Sequence, residues 1–542
     1  MPVISISCSD LTELIGVKLK KEELVEKISS MGLNIEKIDE DEIFIEIFPD
    51  RPDMLSVEGI ARALRNFMGI EKGIKRYKIE KSDVFLKVEK SVKGVRPYIV
   101  GCLIKDIKFN SDSIASLMEL QEKLHLSIGK NRKKVAIGVH DFDKVEQPFV
   151  YKGVKPDEIS FIPLAKYEEM NLREILEKHE KGVAYAHLLE GKELYPIIID
   201  KHERVLSFPP IINGQLTALT EETENIFIDV TGTDEKAVKD ALIIISTSLA
   251  ERGGKIYQVK IEDEVEKYTP EFENSKNELE TKYIKKLLGF DEKEKIVEAL
   301  EKMGHEANFK GDKIVVFSPP WRIDILHKID IVEDIAKGYG YEKFNEILPK
   351  SLTFGSSLSN EKLHITMIGL GFNEVLTLNI SGKEKEFKKM EMEENAVEIE
   401  NPISIEHAII RQSLIPSLMD ILSKNKHHNL PQQIYEVGDV VKICDKKIEQ
   451  KTMLSGVKID AKANFSECKS IVEAILRNFG KKMELEEKKH PSFIDGRCAS
   501  LFDDGREVGY FGEIKPSVIC NFELSYPVIA FEIDASFLLS QK

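Results

Sequence analysis

The chain has 542 residues, 42% of them hydrophobic and 32% charged, with a formal net charge of −16. That length exceeds one core, so three or four ordered domains are expected, and the acidic balance argues against a protein that coats a long duplex unaided. Six scattered cysteines without a C-x-x-C pair argue against zinc-finger, redox and disulfide-framework readings.

The most apolar stretch, residues 241–250, is far short of the roughly 20 residues that span a bilayer. The opening residues lack a basic start followed by an apolar block, so a cytoplasmic protein with reduced thiols and no membrane partner is expected. In chain order, VISIS alternates as a strand, and two short helices follow, ending at Gly16 and Gly32. Residues 42–48, EIFIEIF, alternate strictly and stop at the turn Pro49-Asp50-Arg51-Pro52-Asp53, which leads into an amphipathic helix. Residues 1–82 read as an N-terminal α/β module. From 83 to 263, strands (VFLKVEK, YIVGCLI, KVAIGVH, YPIIID, NIFIDV) mix with helices at 113–126 and 234–252, which suits an α+β domain with helices on one side of its sheet. Residues 268–345 place two helix-like segments before the strand KIVVF and read as a winged-helix-like module. From 350 to 542 a larger α+β domain built around an antiparallel sheet is expected, giving a multidomain α+β protein.

Asp324, Asp330, Glu333 and Asp334 fall within eleven residues. On a helix starting near Asp330, positions i, i+3 and i+4 share a face, while Ile331, Val332 and Ile335 point to the core. Crowded carboxylates call for a cation, and magnesium suits hard oxygens; the alternative is an acidic helix start complementing the macrodipole. Farther upstream, Asp229 and Thr231 lie two apart on a strand and so face the same side. Ser207 and Asn213 flank the Pro209-Pro210 turn with polar groups. The competing reading is turn chemistry at Pro209-Pro210 and Asn213-Gly214, with Asp229 and Thr231 near a helix start that Thr233 or Asp234 would cap. His140-Asp141, at a strand end, reads as structural. Two basic runs, Lys130-Asn131-Arg132-Lys133-Lys134 and Lys72 with Lys75-Arg76-Tyr77-Lys78, are either phosphate contacts or solvated loops. No G-x-S-x-G, H-E-x-x-H or P-loop is present, and Gly369-Leu370-Gly371 reads as a helix stop.

Three segments carry a family resemblance: FPDRPDMLSVEGIARAL (48–64, with Asp50 where Asn is often found), SPPWRIDILHKIDIVEDIAKGYGYEKF (318–344), and IENPISIEHAIIRQSLIPSLMDILSKN with QQIYEVGDV (within 399–440). With KVAIGVHD and SFPPIING, in order over essentially the whole chain, they resemble the beta subunits of phenylalanyl-tRNA synthetase in the short form shared by archaea and eukaryotes. The resemblance implies an editing, tRNA-binding domain at 83–263, a metal-carrying module at 268–345 and an inactive class II synthetase-like domain at 350–542. It also implies a magnesium ion on Asp324, Asp330, Glu333 and Asp334, shared with an alpha subunit. Ser207, Asn213, Asp229 and Thr231 would form the editing pocket, with Asp229 accepting a tyrosine hydroxyl. Such a pocket answers a physical need, since a hydrophobic site rejects an added hydroxyl only by roughly a hundredfold. The implied assembly is two alpha and two beta chains that act on tRNA(Phe) with ATP. The alpha chain would activate phenylalanine, because neither DDGREVGYFGEIKP (503–516) nor QQIYEVGDV holds the arginines that grip ATP phosphates in class II synthetases. No anticodon-clamping domain or oligonucleotide-binding insertion is evident, so anticodon recognition is not expected of this chain. The alternatives are a non-enzymatic scaffold with a vestigial pocket and a free-standing deacylase.

Overall fold

The alternation of VISIS and EIFIE decides how the chain begins, because it puts Ile4, Ile6, Ile43 and Ile45 on one buried face. In the computed structural model, which describes residues 2–348, 360–444, 447–482 and 484–540, two units separate at 347/348. The first unit opens with an antiparallel sheet of β1 (Val3–Ser7), β2 (Asn34–Ile38) and β3 (Glu42–Glu46) in the order β1-β3-β2. Helices α1 (Cys8–Ile15), α2 (Lys21–Ser30) and α3 (Val57–Phe67) accompany it. Ser56 caps α3 by accepting the Gly59 N–H at 3.2 Å.

A large mixed sheet follows. Its strands are β4 (Ile79–Val88), β5 (Tyr98–Lys105), β6 (Val135–Asp141), β7 (Phe149–Val154), β8 (Tyr195–Ile199), β9 (Val205–Phe208), β10 (Ile212–Asn213), β11 (Ile226–Gly232), β12 (Lys255–Glu262) and β13 (Glu266–Thr269). They run β10-β9-β8-β7-β4-β12-β5-β11-β6, with β13 paired to β12; β4 is parallel to both β7 and β12. Helices α4 (Ser111–Leu126) and α5 (Glu235–Glu251) cover one face, where Val100, Ile104, Ile137, Ile228 and Val230 meet Leu120, Leu124, Ala241 and Leu242. The same core continues to Ile4, Ile60 and Trp321, and the expected break at 82/83 falls inside β4. The opening module and the large sheet therefore share one core. After β13 come β14 (Ser275–Glu280), α6 (Thr281–Leu288), α7 (Lys293–Lys302), the hairpin of β15 (Glu306–Lys310) and β16 (Lys313–Ser318), and α8 (Lys328–Tyr339).

Buried charge stitches these parts together. Arg51 holds Asp53 by two bonds of 2.9 Å, and the Arg62 guanidinium lies 4.4 Å from the Trp321 ring centre. Arg322 donates to Asp324 at 2.7 Å and to Asp334 at 2.6 Å, and His305 Nε2 lies 2.7 Å from Asp334. Burial would raise the Asp334 pKa, but the Arg322 charge and the His305 hydrogen bond outweigh it and hold this carboxyl far below its ordinary range. Glu251, at the end of α5, takes bonds from Arg65, Lys75 and Tyr77. Two of the three segments that carry the family resemblance are thus packed on one another around these pairs.

The second unit is a seven-stranded sheet of β17 (Asn373–Glu374), β18 (Gln432–Cys444), β19 (Lys447–Ile459), β20 (Glu484–Glu487), β21 (Phe493–Asp503), β22 (Arg506–Ile514) and β23 (Val528–Asp534), ordered β17-β18-β19-β23-β22-β21-β20. All neighbours are antiparallel except β17 and β18. On one face Phe511, Phe531 and Ile533 pack with Val472 and Ile475 of α11 (Phe465–Asn478) and Leu363 and Met367 of α9 (Glu361–Gly369). On the other, Val457 and Ala530 pack with Leu418, Met419 and Leu422 of α10 (Ile415–Lys424).

Removing Arg322 strands two buried carboxylates. Arg322→Ala is expected to cost about 3–5 kcal/mol of stability. Urea unfolding of the purified protein checks this, and a loss below about 1 kcal/mol, the level of an exposed pair, contradicts it.

Candidate active site

The two ends of the large sheet approach each other, and the Asn213 side-chain amide on β10 donates to the Val139 carbonyl on β6 at 3.4 Å. Beside this closure, under Met118, Gln121, Glu122 and His125 of α4, lies a cavity of about 220 Å³. Ser207, Asn213, Asp229 and Thr231 all line it. The alternation of β11 explains why. Ile226, Ile228 and Val230 join the core under α4 and α5, which leaves Phe227, Asp229 and Thr231 on the opposite face.

Asp229 is fully buried and its Oδ1 lies 2.7 Å from His140 Nε2; His140 Nδ1 lies 2.7 Å from the Thr217 hydroxyl. With Nε2–H donated to Asp229, Nδ1 accepts from Thr217, and the imidazole fixes the carboxylate by one oxygen. Oδ2 then has no partner among the described residues. In register opposite Asp229 stands Gly138, where a Cβ would come within 2.2 Å of Asp229 Oδ1 and 2.7 Å of His140 Nε2. Only glycine lets the pair form. The Ser207 hydroxyl donates to Asn213 Oδ1 at 3.2 Å, facing the same space.

Two buried arginines hold the wall. Arg96 donates to the Thr231 hydroxyl at 3.0 Å and the Thr231 carbonyl at 2.8 Å, and also to the carbonyls of Arg132 and Lys133 at 3.2 and 3.3 Å. Burial lowers its pKa to about 10, so it stays charged at neutral pH. The loop it grips is strained: Lys130, Asn131 and Arg132 have φ of 46°, 54° and 64° in succession, each costing of order 1–3 kcal/mol. Arg132 turns inward, donating to the Ile211 carbonyl at 2.7 Å and Glu122 at 2.6 Å and stacking over Tyr185 at 4.6 Å. Burial favours the neutral form of Glu122, but neighbouring His125, 3.8 Å away, and the Arg132 and Lys181 charges hold it at about 2. His125 is itself pushed down to about 4, chiefly by burial, and is neutral.

The basic runs are therefore different from a simple phosphate patch. Arg132 is internal and Lys134 is paired with Asp234 at 2.6 Å, which leaves Lys130 and Lys133 exposed. In the earlier run, Lys75 and Tyr77 serve Glu251, Arg76 meets Glu306 at 3.2 Å and Lys78 meets Glu80 at 2.8 Å.

The acidic segment is also divided. Asp334 is buried beside Ile331, Val332 and Ile335, and Asp324 shares Arg322 with it, so neither lies on an open face with Glu333. Asp330 Oδ2 accepts the N–H groups of Leu326 and His327 at 2.9 and 2.7 Å, as a capping residue does. Glu333 is exposed and pairs with Lys337 at 3.0 Å. Among the described residues no three His, Cys, Asp or Glu side chains are gathered to hold a metal ion. The four do not make a cage within this chain; Asp330 and Glu333 are the two not tied to Arg322.

Sequence reasoning brought four pocket residues together but missed Arg96, Gly138, Thr217 and the part played by His140. The G-x-H spacing of Gly138 and His140 on an alternating strand was the available signal. Arg96 offered none.

Family models match along the chain: a Phe-tRNA synthetase beta subunit B1 domain at 1–70, a B3/4 domain at 87–258, a tRNA synthetase B5 domain at 277–341 and a phenylalanyl tRNA synthetase beta chain CLM domain at 348–535. The chain is 44% identical to the phenylalanine–tRNA ligase beta subunit of Archaeoglobus fulgidus, over 99% of this chain and 98% of that one. It is 46% identical to that of Methanocaldococcus jannaschii, over 98% and 100%. Among solved structures, an N-terminal fragment of the phenylalanyl-tRNA synthetase beta subunit from Pyrococcus horikoshii aligns with a TM-score of 0.61 and 40% identity, covering 62% of this chain and 99% of the fragment. With the matches continuous over nearly the full length, the chain belongs to the phenylalanyl-tRNA synthetase beta-subunit family, of the archaeal kind.

Proposed function

We propose that this chain proofreads for its ligase, hydrolysing tyrosine from tRNA(Phe), while an alpha chain activates phenylalanine with ATP. The observation that carries the reading is Asp229 Oδ2, unpartnered in a cavity of about 220 Å³. An apolar cavity of about 150 Å³ already accepts benzene, so a phenol ring has room. The tyrosine hydroxyl donates to Asp229, whereas a phenylalanine ring would leave that carboxylate desolvated and unpaired. Sites of this kind discriminate strongly, because the penalty falls on the protein's own buried group. The ester is already activated, so a water held by the Ser207 hydroxyl or the Asn213 amide attacks the carbonyl carbon; the ester C–O bond breaks and the ribose oxygen leaves with a proton. A vestigial pocket on a scaffold would show only background hydrolysis.

The second unit supports the division of labour. Where a class II synthetase would need cations for ATP, one sheet face carries buried Glu436 and Glu532. Arg411 is spent on Glu436 at 2.8 Å, on Thr377 at 2.6 Å and on the Asp439 carbonyl at 2.9 Å. Glu532 accepts from Ser413 at 2.9 Å and Tyr510 at 3.1 Å. Burial pushes nearby Glu386 up to about 7, and Glu532 adds to the rise. A triphosphate would find Arg411 already engaged and would face the Glu532 carboxylate. Exposed Leu376, Leu378 and Ile380 alternate along one segment, and Ile365 and Ile368 share a face of α9, so this unit offers apolar surface suited to a partner chain. The partner is the alpha subunit, in a heterotetramer of two alpha and two beta chains.

A magnesium ion shared with the alpha chain would rest on Asp330 and Glu333, with water and partner oxygens completing its shell, since this metal needs only one or two carboxylates. Recruiting Asp324 or Asp334 requires Arg322 to release them.

Asp229→Ala is expected to lower hydrolysis of tyrosyl-tRNA relative to phenylalanyl-tRNA by about a hundredfold or more; an unchanged ratio in a deacylation assay removes Asp229 from recognition. The isolated chain should give no phenylalanine-dependent ATP–pyrophosphate exchange, and robust exchange would reverse the assignment of activation to the alpha chain. Titrating magnesium into the assembled ligase by calorimetry should show weaker binding for Asp330→Asn/Glu333→Gln, whereas an unaltered isotherm places the ion elsewhere.

A further inference from the structure

Among the side chains that line the cavity, Lys181 is the one exposed cation. It sits on the short helix Glu180–Tyr185, and its Nζ lies 3.3 Å from Glu122 Oε1, the same oxygen that Arg132 holds from inside at 2.6 Å. Arg132 belongs to the strained loop, and on either side of it Lys130 and Lys133 are exposed without an ion pair among the described residues. The loop does not wander: Arg96 holds its carbonyls, the Arg132 N–H bonds the His125 carbonyl at 3.1 Å, and Arg132 itself is anchored under the Pro209-Pro210 turn. A backbone held in three consecutive left-handed residues points one charged side chain into the wall and leaves its basic neighbours in solvent. Strain maintained in this way is found where a fixed presentation is used.

We infer that Lys181, with Lys130 and Lys133, forms the rim that receives the phosphodiesters of the single-stranded 3′ end whose aminoacyl ester enters the cavity. Deepening the proofreading assignment, this inference rests on it. The chemistry is that of a short anionic strand met by a few lysines: little sequence discrimination and a marked dependence on salt. Glu122 acts as the latch, since Lys181 exchanges it for phosphate while Arg132 keeps it in place.

The test uses the full chain assembled with its alpha subunit and two esters, tyrosyl-tRNA and 2′(3′)-O-tyrosyladenosine, which lacks the phosphodiesters. For Lys133→Ala/Lys181→Ala we expect KM for tyrosyl-tRNA to rise severalfold with kcat nearly constant, and a much smaller change for tyrosyladenosine. Binding of a non-hydrolysable, amide-linked tyrosyl-tRNA should show a log–log salt dependence shallower by about 0.7 for each phosphate that the variant no longer neutralises. Lys181→Arg should restore most of the affinity. Equal losses on both esters, or an unchanged salt slope, overturn the rim. A wild-type complex that hydrolyses neither ester overturns the proofreading assignment and the rim together.

Discussion

A single buried guanidinium organises the pocket. Arg96 spends its donors on Thr231 and on the two carbonyls that close the strained loop, so it welds β11, the last strand but one, to the turn that leads into the terminal strand β6. Its backbone carbonyl in turn accepts the Tyr151 hydroxyl at 2.9 Å. The positive charge of Arg96 acts on Asp229, while Glu122, the other carboxylate in the lining, is met by Arg132 and Lys181, so the wall carries its own counter-charges without a ligand. That balance suits a neutral phenol better than a charged guest. It also explains how an internal carboxylate can keep one oxygen unpartnered: the field is supplied by Arg96, the geometry by His140, and neither occupies Oδ2.

Much of this was legible in one dimension. Period-two alternation placed Asp229 and Thr231 on one side of β11, and that rule depends only on strand geometry. The helices near 113–126 and 234–252 were likewise readable from pattern, and they form as Ser111–Leu126 and Glu235–Glu251. What alternation cannot supply is register between strands distant in sequence. The contact between His140 and Asp229, and the need for Gly138 opposite Asp229, exist only because β6 pairs with β11 as it does. The acidic segment shows the complementary failure. Helical spacing grouped Asp330, Glu333 and Asp334, but a face shared along an axis is wide, and Asp334 sits on its core side because Arg322 and His305 meet it there. A charge run says how many charges there are, and the partners that consume them come from elsewhere in the fold.

That consumption bears on how an acidic chain handles a polyanion. With a net charge of −16, the protein repels phosphate at long range. Six of its arginines do not offset this at the surface: Arg51, Arg62 and Arg322 are buried at the junction of the opening module with the Trp321 segment, Arg96 and Arg132 are buried in the pocket wall, and Arg411 is buried in the second sheet. These guanidinium groups serve the fold because their donors, set in a rigid planar fork, satisfy several buried acceptors at once and outnumber those of a lysine ammonium. The cations left in solvent beside the pocket are lysines, few and local. A site so equipped can hold the end of a strand but not the body of a folded RNA, whose many phosphates demand many contacts. Under the proposed function, selectivity for the amino acid and affinity for the RNA would therefore reside in different places: the first in the pocket of this chain, the second largely in an assembly with a partner chain.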